Sequence, residues 1–92
     1  MIKRELVQKV SKETDLTQKE VKEVLETAFD VIKEAVASGE KVSLVGFGVF
    51  EKRTRAEKKG TNPSTREPMV IPSTDVPYFR PGQEFKDEVK GK

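Results

Sequence analysis

The stretch RTRAEKKGTNPSTREP, from Arg53 to Pro68, decides the fold of this chain. Its basic residues alternate with other residues, and apart from Ala56 neither side of the alternation is apolar. A strand without an apolar face cannot pack on a core. Turn-forming residues follow at 60–65, and residues 68–72 supply a second extended run. We therefore predict a two-stranded β-ribbon that projects from the body.

Two amphipathic helices are predicted before the ribbon. Apolar residues at helical spacing from Ile2 to Val10 indicate the first. The capping-box sequence Thr17–Glu20 places the start of the second near Gln18, and Ser38-Gly39 ends it. A helical hairpin is also the form of a DNA-reading helix-turn-helix, but core packing is favoured because the outward face of the second helix is acidic. Its acids are Glu20, Glu23, Glu26, Asp30 and Glu34.

From residue 41 the apolar period changes to that of a strand. Residues 42–44 and 49–50 flank Gly46-Phe47-Gly48, which predicts two strands joined by a turn whose glycines can adopt positive φ. Residues 76–80 predict a third strand that returns to the sheet, and residues 83–90 a short final helix. The predicted fold class is α+β, with one domain over residues 1–92.

The composition excludes several kinds of chemistry. The chain has 92 residues and contains no Cys, His or Trp. Disulfides, thiol nucleophiles, Ser-His triads and Cys/His zinc sites are therefore excluded. The 16 acidic residues include no pair that the sequence places in a cleft, so we predict neither an enzyme nor a bound metal or cofactor. We expect no membrane contact or export signal, and a cytoplasmic location. So short a chain has a small core, which favours dimerisation.

The formal charge of +2 is the sum of two unlike parts. Residues 1–51 carry a net charge of −2, and residues 52–92 carry +4. Residues 52–66 alone hold six bases and one acid. Such a ribbon can neutralise phosphates and follow a DNA groove, while a solvated loop that keeps the protein soluble is the alternative. The tip residues Asn62 and Pro63 favour DNA, because an apolar ring can enter a base step and bend the duplex.

These motifs together resemble the bacterial histone-like HU/IHF family. The resemblance rests on GFGVF at 46–50, the ribbon sequence at 53–68, VIP at 70–72, VPYFRPG at 76–82 and FK at 85–86. It implies an intertwined dimer with a helical dimerisation part at 1–39 and a three-stranded sheet at 40–82. A β-ribbon arm at about 53–75 and a C-terminal helix at 83–92 complete the implied fold. The implied function is nonspecific DNA binding through the minor groove, with bending and nucleoid compaction.

The resemblance also assigns roles to individual residues. Pro63 would intercalate at the arm tip. The implied DNA-binding residues are Lys3, Lys52, Arg53, Arg55, Lys58, Lys59, Thr61, Asn62, Pro63, Thr65, Arg66, Ile71, Arg80 and Lys86. The implied dimer core is Phe29, Ile32, Leu44, Phe47, Phe50 and Phe79. The chain departs from the family pattern at Thr61, where Arg is usual, at Arg66, where Gly is usual, and at Gln83, where Lys is common.

Several alternatives stay open at this point. The expected partner is double-stranded DNA, with bent, nicked or gapped forms preferred, and RNA is a further candidate. A site-preferring factor of the IHF type or a phage-encoded one is the alternative function. A protein-interaction module whose ribbon adds a strand to an acidic partner is another. The chain is expected to pair with itself, with a paralogue as the alternative.

Overall fold

The computed structural model describes residues 1–91, which confirm the predicted α+β fold class. The helices are α1 (Lys3–Thr14), α2 (Gln18–Ala37) and α3 (Gln83–Lys90). The strands are β1 (Val42–Leu44), β2 (Gly48–Arg55), β3 (Lys58–Thr61), β4 (Pro68–Ile71) and β5 (Thr74–Pro81). Throughout this described part, each helix is too short or too polar to cross a bilayer. The chain forms two compact units, Met1–Glu34 and Ala35–Lys92, whose boundary falls inside α2.

The capping box predicted at Thr17 is present and starts α2. The Thr17 hydroxyl accepts the backbone N–H of Glu20 at 3.1 Å, and the Glu20 carboxylate accepts the backbone N–H of Thr17 at 2.9 Å. These backbone and side-chain hydrogen bonds from Thr17 lower the pKa of Glu20 below its usual value. Two backbone N–H groups that the helix itself cannot satisfy thereby find acceptors. The start of α2 is fixed by four consecutive residues of sequence.

The predicted stop at Ser38-Gly39 is also confirmed. Gly39 has φ +97°, and its N–H donates to the carbonyl of Val36 at 3.0 Å. The next N–H, of Glu40, donates back to the carbonyl of Ala35 at 2.9 Å. This pair of bonds is the Schellman arrangement, which uses a left-handed glycine to end a helix. It turns the chain directly into β1.

The first unit is built from α1 and the greater part of α2. Val7 of α1 and Val21 of α2 are its buried apolar residues, with Leu6, Val10 and Leu25 half-buried. Ile2, predicted to belong to the helical stripe, lies just before α1 and is 56% exposed. A stripe of two buried side chains is a small core for a helical pair, as the length of the chain leads one to expect.

The second unit contains a three-stranded antiparallel sheet in the order β1-β2-β5. β2 and β5 pair from Gly48↔Pro81 to Arg55↔Thr74. After a gap of two residues on each side, β3 and β4 continue the same register from Lys58↔Ile71 to Thr61↔Pro68. The predicted ribbon is therefore one long hairpin, whose inner part belongs to the sheet and whose outer part is a separate two-stranded ladder.

The turn between β1 and β2 differs in one respect from the prediction. Gly46 has φ +86°, as expected, but Gly48 lies inside β2 and is not in the positive-φ region. Gly48 is required for close approach instead. A Cβ there would lie 2.6 Å from the Phe79 ring and 2.7 Å from the carbonyl oxygen of Arg80. At Gly48 it is therefore cross-strand packing, and not turn geometry, that excludes a side chain.

Four phenylalanines pack around this close approach. The ring centroids of Phe50 and Phe79 are 4.8 Å apart, and Phe47 lies 5.3 Å from both Phe79 and Phe85. Tilted and stacked pairs at such separations stabilise a core beyond the area they bury. Phe85 comes from α3, so the cluster attaches the last helix to the sheet.

The Gly48→Ala substitution should therefore destabilise the protein by about 1–3 kcal/mol, because the new methyl group overlaps both a ring and the backbone of β5. Urea unfolding at fixed protein concentration measures this loss. Gly60→Ala is the matched control, since Gly60 is also a strand residue and a Cβ there meets nothing within 4 Å. Equal unfolding midpoints for the two variants would contradict the packing role of Gly48.

Candidate nucleic-acid interface

The inner part of the hairpin has two chemically different faces. Residues that pair directly across an antiparallel ladder point to the same side, and the side changes with every residue. One face carries the aromatic pair Phe50 and Phe79 and therefore packs on the core. The opposite face carries the charged residues Glu51, Arg53, Arg55 and Arg80 together with Tyr78. We call this second side of β2 and β5 the arginine face.

Three of the predicted DNA-binding residues lie together on the arginine face. Arg53, Arg55 and Arg80 are all exposed. The guanidinium carbon of Arg53 lies 3.7 Å from the centre of the Tyr78 ring, a cation–π contact that holds the side chain flat against the sheet. The sheet thus presents planar cations on one side and an aromatic core on the other.

Lys52, predicted as a DNA-binding residue, lies on the face opposite the three arginines. Its ammonium donates to the carbonyl of Ala37 at 3.2 Å and lies 3.8 Å from a carboxylate oxygen of Asp75. Ala37 is the last residue of α2, so the cation sits at the negative end of a helix. The structure does not bring Lys52 together with Arg53 and Arg55.

The outer ladder carries the next predicted residues. Lys58 pairs with Ile71 and Lys59 with Val70, so the two lysines point to opposite sides of the ribbon. Ile71 and Val70 are about half exposed, at 48% and 54%. Each side of the outer ribbon therefore presents one lysine beside an exposed apolar side chain of β4.

The tip is a closed loop organised by Asn62. Its side-chain oxygen accepts the backbone N–H groups of Ser64 at 2.8 Å and Thr65 at 3.4 Å. Its own N–H donates to the carbonyl of Glu67 at 2.9 Å, and its carbonyl accepts the N–H of Arg66 at 2.6 Å. Pro63 is exposed at the apex of this loop. The loop therefore holds an apolar ring outward on a hydrogen-bonded frame.

Arg66 has a left-handed backbone at the tip, with φ +61°. This conformation costs roughly 1–2 kcal/mol for a residue with a side chain and nothing for glycine. The sequence departs from the family pattern at this residue, as it does at Thr61, the last residue of β3. The exposed Arg66 and Thr65 both lie on the far side of the apex from Thr61.

The remaining predicted contact residues lie outside the ribbon. Lys3 forms an ion pair with Glu26 at 2.9 Å, and this hydrogen-bonded cation lowers the pKa of the Glu26 carboxyl. Lys86 is exposed on α3. Gln83, which departs from the family pattern, is the first residue of α3, and its side-chain amide donates to the Asp87 carboxylate at 2.9 Å.

The residues predicted for a dimer core are only partly covered within one chain. Phe29, Leu44 and Phe47 are 39%, 38% and 46% exposed. Ile32, Phe50 and Phe79 are half-buried. Large rings and aliphatic side chains exposed to this degree typically mark surfaces that another chain covers.

Sequence reasoning missed a charged cluster at the base of the ribbon. Glu51 is 7% exposed and lies near three cations: Lys41 at 3.7 Å, Arg53 at 3.2 Å and Arg80 at 3.6 Å. Finding it required the strand register, which places β1, β2 and β5 side by side. The sequence alone shows one acid among several bases.

Comparison with known proteins points in a single direction. A family model described as "Bacterial DNA-binding protein" matches residues 1–90. The chain is 49% identical to the DNA-binding protein HU of Thermotoga maritima, over 98% of this chain and 100% of that protein. It is 49% identical to DNA-binding protein HU 2 of Bacillus phage SPbeta over the full length of both. A cocrystal structure of Anabaena HU with DNA is 47% identical and superposes with a TM-score of 0.92, covering 100% of both chains.

Proposed function

Because the chain belongs to the bacterial DNA-binding protein family, as an HU-type histone-like protein that binds and bends DNA, we propose that its β-ribbon enters the minor groove. Proteins of this type are architectural and not enzymes. The observation that carries the proposal is the unbroken register of the hairpin, which continues from the arginine face to the Asn62 tip. A ribbon of two strands is slim enough to follow a groove over that length.

Binding is driven by phosphate neutralisation along the ribbon. Arg53, Arg55 and Arg80 supply cations at its base. Nearer the tip, Lys58 supplies a cation on one side of the ribbon and Lys59 a cation on the other. A two-stranded ribbon twists strongly, so cations on both sides meet the phosphates that flank a groove. Body contacts come from Lys3 and Lys86. Lys52 contributes less, because its ammonium already binds the end of α2. Such contacts select the DNA backbone and not its sequence.

The binding partner is double-stranded DNA in the nucleoid of a bacterial cytoplasm. Among its forms, the protein prefers deformed DNA. Bending an intact duplex requires partial unstacking of base steps, which costs a few kcal/mol. A nick or gap lowers that cost, since the stack is already interrupted there. The preference therefore follows from bending itself and needs no base-specific contact.

A competition experiment tests this function. The protein is titrated with nicked and intact duplexes of one sequence at several salt concentrations. We expect tighter binding to nicked DNA and an affinity that falls steeply with salt. Arg55→Ala should weaken binding to both duplexes and reduce the slope of log affinity against log salt by about one per protomer. Equal affinity for both duplexes with no salt slope would refute the proposal.

Pro63 is the residue that we propose intercalates. It stands exposed at the apex of the loop, and the side-chain and backbone hydrogen bonds of Asn62 hold the loop around it. A rigid ring on a fixed loop can enter a base step without losing much conformational freedom. Asn62 and Thr65 lie beside it and can reach the groove floor and sugars.

Pro63→Ala should reduce the DNA bend more than the affinity, because a methyl group cannot replace the ring between two base pairs. Fluorescence energy transfer between the ends of a labelled duplex measures the bend, and a salt titration measures the affinity. Ser64→Ala is the control, since its backbone N–H still donates to Asn62. An unchanged energy transfer for Pro63→Ala would exclude the wedge role.

Arg66 supplies the cation of the arm tip. In the family pattern this cation is an arginine at position 61, where this chain has Thr61. The chain keeps an arginine where the backbone has φ +61°, although glycine would relieve the strain. A residue retained against its conformational preference is a candidate for function, and an exposed guanidinium at the arm tip is suited to the phosphates or the narrow groove.

Arg66→Gly should lower DNA affinity about 5- to 10-fold while leaving the unfolding free energy unchanged or raising it by up to about 1 kcal/mol. Urea unfolding and the same salt titration give the two values. Ser64→Gly, at a tip residue outside the left-handed region, controls for added flexibility. A loss of stability without a loss of affinity would assign Arg66 a structural role only.

HU proteins dimerise, and we propose that this chain forms a homodimer through the partly exposed residues Phe29, Ile32, Leu44, Phe47, Phe50 and Phe79. Further apolar residues are exposed on α2, with Val24 at 62% and Val31 at 58%. Burying these side chains would contribute about 25 cal/mol for each Å². Sedimentation equilibrium should give twice the chain mass of 10.4 kDa, and a monomer at micromolar concentration would contradict the proposal.

A further inference from the structure

The base of the ribbon carries an acid where a DNA-binding surface would be expected to carry none. Glu51 lies on the arginine face, with 7% of its surface exposed. Lys41, Arg53 and Arg80 surround it at 3.2–3.7 Å. One carboxylate and three cations leave this cluster with a net charge of +2. Without the carboxylate, the three cations would repel one another at short range.

The geometry at Arg53 shows which of its atoms remain available. Its Nε donates to a carboxylate oxygen of Glu51 at 3.2 Å, and its guanidinium carbon lies 3.7 Å from the centre of the Tyr78 ring. The Glu51 hydrogen bond uses the Nε edge of the guanidinium, and the Tyr78 contact uses one of its flat faces. The two terminal nitrogens make the fork that binds phosphate, and neither is used in the Glu51 hydrogen bond.

We propose that Lys41, Arg53 and Arg80 form a phosphate-binding site for the DNA backbone, and that Glu51 is its positioning residue. Glu51 holds the three cations around one point and fixes Arg53 against Tyr78 before DNA arrives. Free arginine side chains lose considerable rotamer entropy when they bind, and a side chain that is already ordered loses less. This inference rests on the proposed DNA binding and adds Lys41, Glu51 and Tyr78 to its machinery.

The decisive variant is Glu51→Gln, which removes an acid from the arginine face. Simple electrostatics predicts tighter DNA binding after such a change. If Glu51 positions the cations, the affinity changes in the opposite direction. We expect the affinity for an intact duplex to fall about 3- to 10-fold, because Lys41 and Arg80 lose their common counter-charge. Glu57→Gln is the matched control, since it removes an exposed acid from the gap in the ribbon and should leave affinity equal or higher.

A measurement without DNA separates positioning from stability. Tyr78 is the single tyrosine and the chain has no tryptophan, so its ring protons are unambiguous in NMR spectra. The Arg53 side-chain protons should be shifted upfield by the ring in the natural protein, and this shift should shrink in Glu51→Gln. Tyr78→Leu removes the stacking while keeping the ion pairs, and should lower affinity less than Glu51→Gln does. Urea unfolding verifies that each variant is folded at the binding temperature.

The outcomes distinguish this inference from the proposed function. If the natural protein binds DNA with a steep salt slope but Glu51→Gln binds as tightly as Glu57→Gln or more tightly, Glu51 competes with phosphate and the positioning role is wrong. An unchanged Arg53 shift in Glu51→Gln also overturns it. If the natural protein shows no salt-dependent binding, the proposed function itself fails. Should Glu51→Gln prove unfolded, Tyr78→Leu decides: unchanged affinity there overturns the role of the cluster.

Discussion

The pairing of β2 with β5 requires the close approach of Gly48 to the Phe79 ring, and the arrangement of the second unit depends on this contact. A Cβ at Gly48 would overlap both the ring and the Arg80 carbonyl, so only glycine permits this register. A slip of one residue would exchange the two faces of the ladder. The side chains of Arg53 and Arg55 would then face the phenylalanine cluster, and burying unpaired cations among rings is prohibitively costly. One missing methyl group thus permits the register that keeps the cationic side of the ribbon away from the core.

Charge is distributed unevenly along the chain, and this explains why the small net charge says little about DNA binding. Residues 1–51 sum to −2, and residues 52–92 to +4. Salt screens charges beyond about 8–10 Å under physiological conditions. A phosphate near the ribbon therefore responds chiefly to the ribbon's own charges, which are almost all basic. Glu51 is the exception, since it lies inside the cationic surface and within ion-pair distance of three of its members.

Local features were predictable from sequence, and features that need a strand partner were not. The capping box at Thr17 and the glycine stop at residue 39 act over four and six consecutive residues, so the sequence contains the whole interaction. The ribbon was predictable because a strand without an apolar side can hardly be a core strand. Three features could not be predicted, because each depends on which residue lies across the ladder. They are the packing role of Gly48, the orientation of Lys52 away from the arginines and the cluster around Glu51. That information comes from pairing residues up to 33 positions apart, from Gly48 to Pro81.

The two ends of the ribbon are held in place by different means, and this bears on how a slender hairpin can deform a stiff polymer. At the tip, the strain of roughly 1–2 kcal/mol at Arg66 is opposed by hydrogen bonds to Asn62 and Glu67, each contributing about 1 kcal/mol. At the base, the ion pairs of Glu51 and the Tyr78 ring order Arg53. Between them, the ladder is interrupted at residues 56–57 and 72–73, where Pro72 has no N–H to donate. Order is therefore concentrated where contacts with DNA are proposed, and the ladder is interrupted where a ribbon that follows a curved groove has to adjust. If the ribbon follows the minor groove as we propose, we expect this interruption to let it fit DNA bent to different degrees more readily than an unbroken ladder would.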